Sequence, residues 1–372
     1  MTQEYNIPDC TLTTCCLHIN GKRSVEELIK LSLSVLRLPV YLVIYCDKIT
    51  FPYLFDYRKA CNLIDVTIFK IIELSDMWSY SLYDKVLDNR KKYFPTKDER
   101  TNEFTHLITI NKFDFVLQTM ELNPFHTSKF GWIDCLLGEN QMRICKNYKE
   151  NVIPHILDHI SDLFHIVVIN VNDKKYILEE NKEEYYQEYR WVVAGGFFTC
   201  GSNIGNQILN RLKEIAVSTT NLGYGHGEEM LYIEILEEFK DQIVKGYGDY
   251  DFILNNFLKP IENLENIYFD IIQNYLNFGY YKEGIQCIEQ VIEQLVNNNA
   301  YANPDIYINI LIDYVIATYY LNPSHSNCYI AVNKIFLICY KHPILRQEIK
   351  QHIGRLDVYL TDLNITKPDF LK

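Results

Sequence analysis

The chain has 372 residues, of which 48% are hydrophobic and 23% are charged, a composition typical of a soluble globular protein with about two domains. Its net charge of −12 argues against an extended nucleic-acid surface, and its longest apolar runs fall short of the ~20 residues that a membrane-spanning helix needs. The 11 cysteines contain no C-x-x-C pair, which excludes zinc-ribbon and thioredoxin-like sites, and their odd number without a secretory signal predicts reduced thiols in the cytoplasm.

Alternating strands and helices are predicted up to about residue 250. The runs 11–17 and 40–46 have the length and β-branched content of buried strands, and a helix between them begins after the N-cap Ser24 and ends near Arg37. This order predicts two parallel strands with a right-handed crossover. Further strands are predicted at 66–71, 130–133, 164–171 and 190–194, and further helices at 76–92, 103–122, 147–162, 203–217 and 227–242. The alternation predicts an α/β domain.

The pattern changes near residue 261, after which no strand is predicted. Residues 268–295 read as a helix, a tight turn at 278–280 and a second helix, which resembles one tetratricopeptide-type hairpin. We therefore predict two domains, residues 1–260 and residues 261–372, the second of them all-helical.

Several common catalytic motifs do not occur in the sequence. It has no G-x-x-x-x-G-K-[ST] loop, no G-x-G-x-x-G after the first strand, no H-E-x-x-H and no G-x-S-x-G. These gaps disfavour a P-loop NTPase, a classical dinucleotide-binding enzyme and a serine hydrolase.

Three short segments carry residues suited to chemistry. Asp134 follows the predicted strand Phe130–Ile133, at a strand end where open α/β sheets bind ligands. Gly195 and Gly196 follow another strand and let the backbone pass close to a neighbour. The segment GYGHGEEM (223–230) opens a helix with a histidine and two carboxylates. Each segment also fits an ordinary turn or helix cap.

Taken in order, the segments TLTTCC, LPVYLVIYCD, YRKA, INKFDFV, NPFHTSKFGWID, VAGGFFTCG and GHGEEMLY resemble the WlaTC/HtrL family of glycosyltransferase-like proteins. The resemblance covers about residues 9–258. It implies a GT-A-like, Rossmann-type mixed sheet flanked by helices, and transfer of a sugar, as by a hexosyltransferase, from a nucleotide-sugar such as a UDP-sugar to a hydroxyl of a glycan or glycosylated protein. The helical domain lies outside it.

The resemblance also implies roles for ten residues. Those expected to bind the donor are Thr13, Thr14, Arg58, Lys112, Asp134, Gly195 and Gly196. Those expected to be catalytic are Glu228, Glu229 and His226, with one carboxylate deprotonating the acceptor or stabilising an oxocarbenium-like centre. Arg58 and Lys112 also supply cations that an acidic protein needs beside a diphosphate.

A Mn²⁺ or Mg²⁺ ion bridging the two donor phosphates is the expected cofactor, with Asp134 as its protein ligand. GT-A enzymes usually supply a D-x-D pair, whereas this sequence reads Trp132-Ile133-Asp134 and keeps only the second acid. The missing acid favours two alternatives, metal-independent transfer and a catalytically inactive scaffold that binds partners through its helical tail. A nucleotide-sugar hydrolase or pyrophosphorylase would share the donor site.

Overall fold

The structure is a computed structural model, and it describes residues 7–19, 22–92, 102–138, 148, 151–224, 227–254, 263–298 and 304–366. The chain divides into two compact units, an N-terminal unit from Met1 to Phe257 and a C-terminal unit from Leu258 to Lys372.

One mixed sheet of seven strands forms the centre of the N-terminal unit, in the order β3-β2-β1-β4-β6-β5-β7. The strands are β1 (Cys10–Cys16), β2 (Tyr41–Cys46), β3 (Thr67–Ile71), β4 (Lys129–Ile133), β5 (Phe164–Val168), β6 (Val193–Gly201) and β7 (Ile243–Tyr247). Strand β6 is antiparallel to both of its neighbours, and the other pairings are parallel. As a result, the start of β6 lies beside the end of β4.

Helices cover both faces of this sheet. The helices of the N-terminal unit are α1 (Val25–Leu36), α2 (Phe51–Ala60), α3 (Tyr83–Asn89), α4 (Glu103–Leu122), α5 (Val152–Leu157), α6 (Lys182–Tyr186), α7 (Ser202–Asn221) and α8 (Tyr232–Glu238). Short 3₁₀ helices lie at Ile64–Val66, Leu74–Asp76, Trp78–Leu82, Lys174–Ile177, Glu179–Asn181, Glu228–Leu231 and Tyr250–Phe252. Phe113 and Phe115 of α4 join Trp132 and Phe198 of the sheet in one buried core. On the opposite face, Ser32 of α1 contacts Cys16 of β1.

The C-terminal unit is helical throughout its described residues. Its elements are α9 (Leu264–Asn266), a π-helical stretch (Ile267–Ile272), α10 (Gln273–Asn277), α11 (Tyr281–Asn298), α12 (Pro304–Leu321), α13 (His325–Lys341), α14 (Pro343–His352) and α15 (Gly354–Asp362). Gly279 has a φ of 77°, a value that favours glycine, at the predicted turn between α10 and α11.

The predicted fold class is confirmed, since a mixed sheet flanked by helices is followed by a helical region. Several elements differ from the sequence expectations. Helices α2 and α6 and strand β7 are additional, and the helix predicted at 227–242 is a 3₁₀ turn followed by the short α8. The strand predicted at 190–194 runs instead from Val193 to Gly201, so Gly195 and Gly196 lie within it and do not follow it. Helix α2 is difficult to predict because Pro52, which usually interrupts a helix, lies in its first turn, where proline is tolerated. Within the described residues, no helix has both the length and the apolar character to cross a membrane.

Candidate functional site

Asp134 and the paired glycines meet at one edge of the sheet. Ile133, the last residue of β4, is paired with Phe197 of the antiparallel β6. The Asp134 backbone N–H therefore donates a hydrogen bond of 2.8 Å to the carbonyl of Gly196. The carboxyl end of β4 and the start of β6 thus hold predicted donor residues together, although 60 residues separate them in the sequence.

Both glycines leave room for carboxylates. A Cβ on Gly195 would lie 2.8 Å from Oε1 of Glu228, and a Cβ on Gly196 would lie 3.0 Å from Oδ2 of Asp134. Glu228 and Glu229 begin the 3₁₀ helix that precedes α8, and each residue is 4% exposed. The close approach inferred from the paired glycines is therefore made by acidic side chains of the protein itself.

Lys112 joins these carboxylates from the other side. It lies in the middle of α4, a helix that begins after the N-cap Asn102. Its ammonium donates to the carbonyl of Gly195 at 2.9 Å and to Oε1 of Glu228 at 2.5 Å, and it lies 3.5 Å from Oδ1 of Asp134. The ammonium thus makes two hydrogen bonds and an ion pair with Asp134, and Lys112 is 2% exposed.

The charge of Lys112 is stabilised by its neighbours. Burial alone would lower the pKa of Lys112, but the carboxylates of Asp134 and Glu228 outweigh it and raise that pKa above the ordinary lysine value. The ammonium therefore stays charged at neutral pH. We call Lys112, Asp134, Glu228 and Glu229 the acid–lysine cluster. With all three carboxylates ionised, its net charge would be −2.

Asp134 is the most accessible carboxylate of the cluster, since its side chain is 37% exposed against 6% for Glu228. The indole N–H of Trp132 donates to Oδ1 of Asp134 at 2.6 Å. Trp132 itself is 3% exposed and stacks on Phe115 of α4. A rigid buried ring therefore fixes Asp134 in place.

Trp132 is a site residue that the sequence motifs did not identify. Its position two residues before Asp134 could have indicated the contact, because residues i and i+2 of a strand point to the same face.

Thr13 and Thr14 lie within β1 rather than at its end, and both are completely buried. Thr13 is paired with Trp132, so it lies on the same face of the sheet as the indole, whereas Thr14 lies on the opposite face. Within the described part of the chain, neither hydroxyl has a hydrogen-bond partner. Only Thr13 is adjacent to a residue that contacts the acid–lysine cluster.

Arg58 lies at the opposite edge of the sheet, which is a correction to its expected place beside the donor. Its guanidinium donates to the carbonyls of Leu36, Leu38 and Val40 and to the hydroxyl of Thr67. Val40 precedes β2 and Thr67 begins β3, so these contacts tie the amino ends of the strands. Burial lowers the pKa of Arg58 to about 10. Arg58 therefore has a structural position.

His226 lies outside the described residues. The remaining six predicted residues, Lys112, Asp134, Gly195, Gly196, Glu228 and Glu229, converge on one region.

The expected metal can be tested against these side chains. Among the described residues, no group of three or more His, Cys, Asp or Glu side chains is placed to hold a metal ion. Asp134 Oδ1 already contacts Trp132 and Lys112. Mg²⁺ and Mn²⁺ need about six oxygen ligands, so the described side chains do not fit a resident divalent cation.

Comparison with known proteins finds matches among solved structures but none at the level of sequence. No family model and no curated protein matches the chain. The crystal structure of mouse Xyloside xylosyltransferase 1 in its apo form overlaps 63% of this chain and 83% of its own, with 10% sequence identity and a TM-score of 0.34. An overlap at this TM-score is too loose to support an argument about function.

Proposed function

We propose that the N-terminal unit is a glycosyltransferase that moves a sugar from a nucleotide-sugar, such as a UDP-sugar, to a hydroxyl of a glycan or glycosylated protein. The convergence of Asp134, Glu228 and Glu229 around the buried Lys112 carries this proposal. The residues were expected from separate segments that resemble one family, and the contacts among them were not part of that expectation.

The reaction needs a bond exchange at the anomeric carbon of the donor. The bond from this carbon to the diphosphate oxygen breaks, and the nucleoside diphosphate leaves with the electron pair. A bond from the acceptor oxygen to the same carbon forms, and the acceptor proton passes to a carboxylate.

We assign the cluster residues to different parts of this exchange. Lys112 and Glu228 form a buried ion pair of 2.5 Å that holds the site together. We assign Glu229, which lies against Gly195, as the carboxylate that receives the acceptor proton. Asp134, the accessible one, meets the donor's diphosphate with any divalent cation that this substrate carries.

Calorimetric titration of UDP into the whole protein tests the proposal. Asp134→Asn keeps the size of the side chain and removes its charge. We expect it to weaken the binding of UDP in the presence of Mn²⁺ at least tenfold, because the diphosphate meets this carboxylate through the cation. The matched control is Asp88→Asn, whose native carboxylate is 65% exposed in an ion pair with Lys91 on the surface.

Titrations with and without Mn²⁺ separate the metal from the nucleotide. Mn²⁺ alone is expected to give no binding heat, because the described residues do not form a metal site. A protein that binds none of UDP, GDP and CDP, with or without Mn²⁺, would contradict the proposed function.

A further inference from the structure

Two aromatic side chains lie next to the acid–lysine cluster, just before strand β6. Tyr189 and Trp191 precede β6, the strand that contains Gly195. Their ring centroids are 4.7 Å apart and the rings are inclined by 43°. Both residues are of intermediate exposure, whereas Trp132 in the core is 3% exposed. We call Tyr189 and Trp191 the aromatic pair.

Arg190, which lies between Tyr189 and Trp191 in the sequence, anchors this segment to the protein. Arg190 stacks its guanidinium on the ring of Tyr176 at 4.9 Å and donates to the carbonyl of Tyr185 at 3.3 Å. It also forms an ion pair of 3.0 Å with Glu188. Because Arg190 is held in this way, the aromatic pair is fixed before any ligand binds, and binding would not have to order it.

Tyr189 connects the aromatic pair to the carboxylates. Its hydroxyl lies 3.5 Å from Oε2 of Glu229. A Cβ at Gly227 would overlap that hydroxyl, so glycine at this position lets Tyr189 approach the start of the 3₁₀ helix. Glu229 in turn lies against Gly195, where its Cγ would be 3.2 Å from an added Cβ. The aromatic pair and the carboxylate assigned to the acceptor proton are therefore neighbours.

We propose that the aromatic pair is the platform on which the acceptor sugar stacks, beside Glu229. This inference rests on the proposed function and names the acceptor as a neutral pyranose. One face of a pyranose presents C–H bonds, which pack on the electron-rich face of an aromatic ring, while its hydroxyls need acceptors such as carboxylates. Partly exposed rings next to buried carboxylates offer both surfaces within one site.

Saturation-transfer NMR on the UDP-bound protein tests the platform with four neutral disaccharides: cellobiose, xylobiose, N,N′-diacetylchitobiose and lactose. We expect at least one to receive saturation on its ring C–H protons. Trp191→Ala is expected to reduce this transfer at least fivefold, and Trp191→Phe, which keeps an aromatic face, is expected to retain more than half of it. The matched control is Tyr53→Ala, which removes an aromatic side chain from α2 that is 48% exposed.

Far-UV circular dichroism and the melting temperature of each variant establish that it is folded. No transfer to any of the four disaccharides in UDP-bound wild type would overturn the platform, as would transfer that survives Trp191→Ala in full. These outcomes leave the proposed function intact as long as UDP binds. If no nucleotide binds, the proposed function fails and the platform fails with it.

Discussion

At the residue scale, Lys112 is the side chain on which the site depends. Its ammonium is buried, and its partners come from β6, from the end of β4 and from the turn before α8. Removing one partner of a buried ion pair leaves an uncompensated charge, which costs more than the pair itself contributes.

We expect Lys112→Met to lower the free energy of unfolding by about 3–5 kcal/mol, because Glu228 would keep a buried charge without its cation. Urea denaturation at pH 7 measures the change. Adding Glu228→Gln to the same variant removes that charge and should restore part of the lost stability. A loss below about 1 kcal/mol for Lys112→Met would mean that Glu228 is solvated or protonated in its absence.

His165 predicts a pH dependence of stability. Its burial, followed by the nearby charge of Lys129, lowers its pKa to about 4. The unfolded chain binds this proton at about pH 6.5 and the folded chain does not. The folded state therefore has its full advantage above pH 6.5 and loses it as the pH falls from 6.5 towards 4.

The shift corresponds to about 3 kcal/mol between the two ends of this range. His165→Gln removes the titrating ring and keeps an acceptor for the backbone N–H of Ser161. Between pH 4.5 and 7, the free energy of unfolding should therefore change less with pH in the variant than in wild type. Parallel curves would show that the pKa of His165 is the same in the folded and the unfolded chain.

At the element scale, the site is made by strand direction. Because β6 runs against β4, its first residues and the end of β4 lie at the same edge, and Gly195 and Gly196 meet Asp134 and Glu228 there. Glycine is needed at both positions because a Cβ would crowd Glu228 at Gly195 and Asp134 at Gly196.

Gly195→Ala should therefore disturb the cluster. Its new Cβ would lie 2.8 Å from Oε1 of Glu228, so the Lys112–Glu228 contact has to shift. We expect a loss of about 1–3 kcal/mol in the free energy of unfolding and weaker UDP binding. Gly354→Ala at the start of α15 is the control, since a Cβ there meets nothing within 4 Å.

An alanine at residue 354 should be neutral or stabilise by up to about 1 kcal/mol through its higher helix propensity. Equal effects of the two substitutions on stability would contradict the crowding at Gly195.

Much of this arrangement could be predicted from sequence at the level of elements. The buried strands and long helices carry strong hydrophobic patterns, which is why β1, β2 and α4 were located closely. Strand β7 was missed because Lys245 and Gly246 interrupt its apolar residues. The structural role of Arg58 could not be predicted from the sequence, because it donates to backbone carbonyls, which every residue has.

The whole molecule consists of two compact units, and the proposed chemistry lies in the first. Within the second, the buried Asp313 of α12 accepts hydrogen bonds from the Tyr268 hydroxyl at 3.1 Å and from the amide of Gln273 at 2.6 Å. Arg355 of α15 pairs with the same carboxylate at 2.8 Å. Asp313 of α12 thereby joins the π-helical stretch and α10 to α15.

We predict that residues 258–372 fold on their own, because they form a compact unit and the Asp313 network lies within it. The isolated fragment should be helical by circular dichroism and should melt cooperatively. Asp313→Ala should lower its melting temperature, because several donors would lose one buried acceptor. A fragment without a cooperative transition would show that this unit needs the rest of the chain.

The position of β6 has a consequence for synthesis of the chain on the ribosome. It lies between β4 and β5, so β4 keeps an open edge until residues 193–201 have emerged. Lys112 likewise has no access to its partners Gly195 and Glu228 until the chain has grown by a further 83 and 116 residues. Until then, a nascent chain carries an unpaired hydrophobic strand edge, the kind of surface that recruits chaperones or aggregates. Translational pauses before residue 193 should therefore be more harmful to this protein than pauses after residue 201.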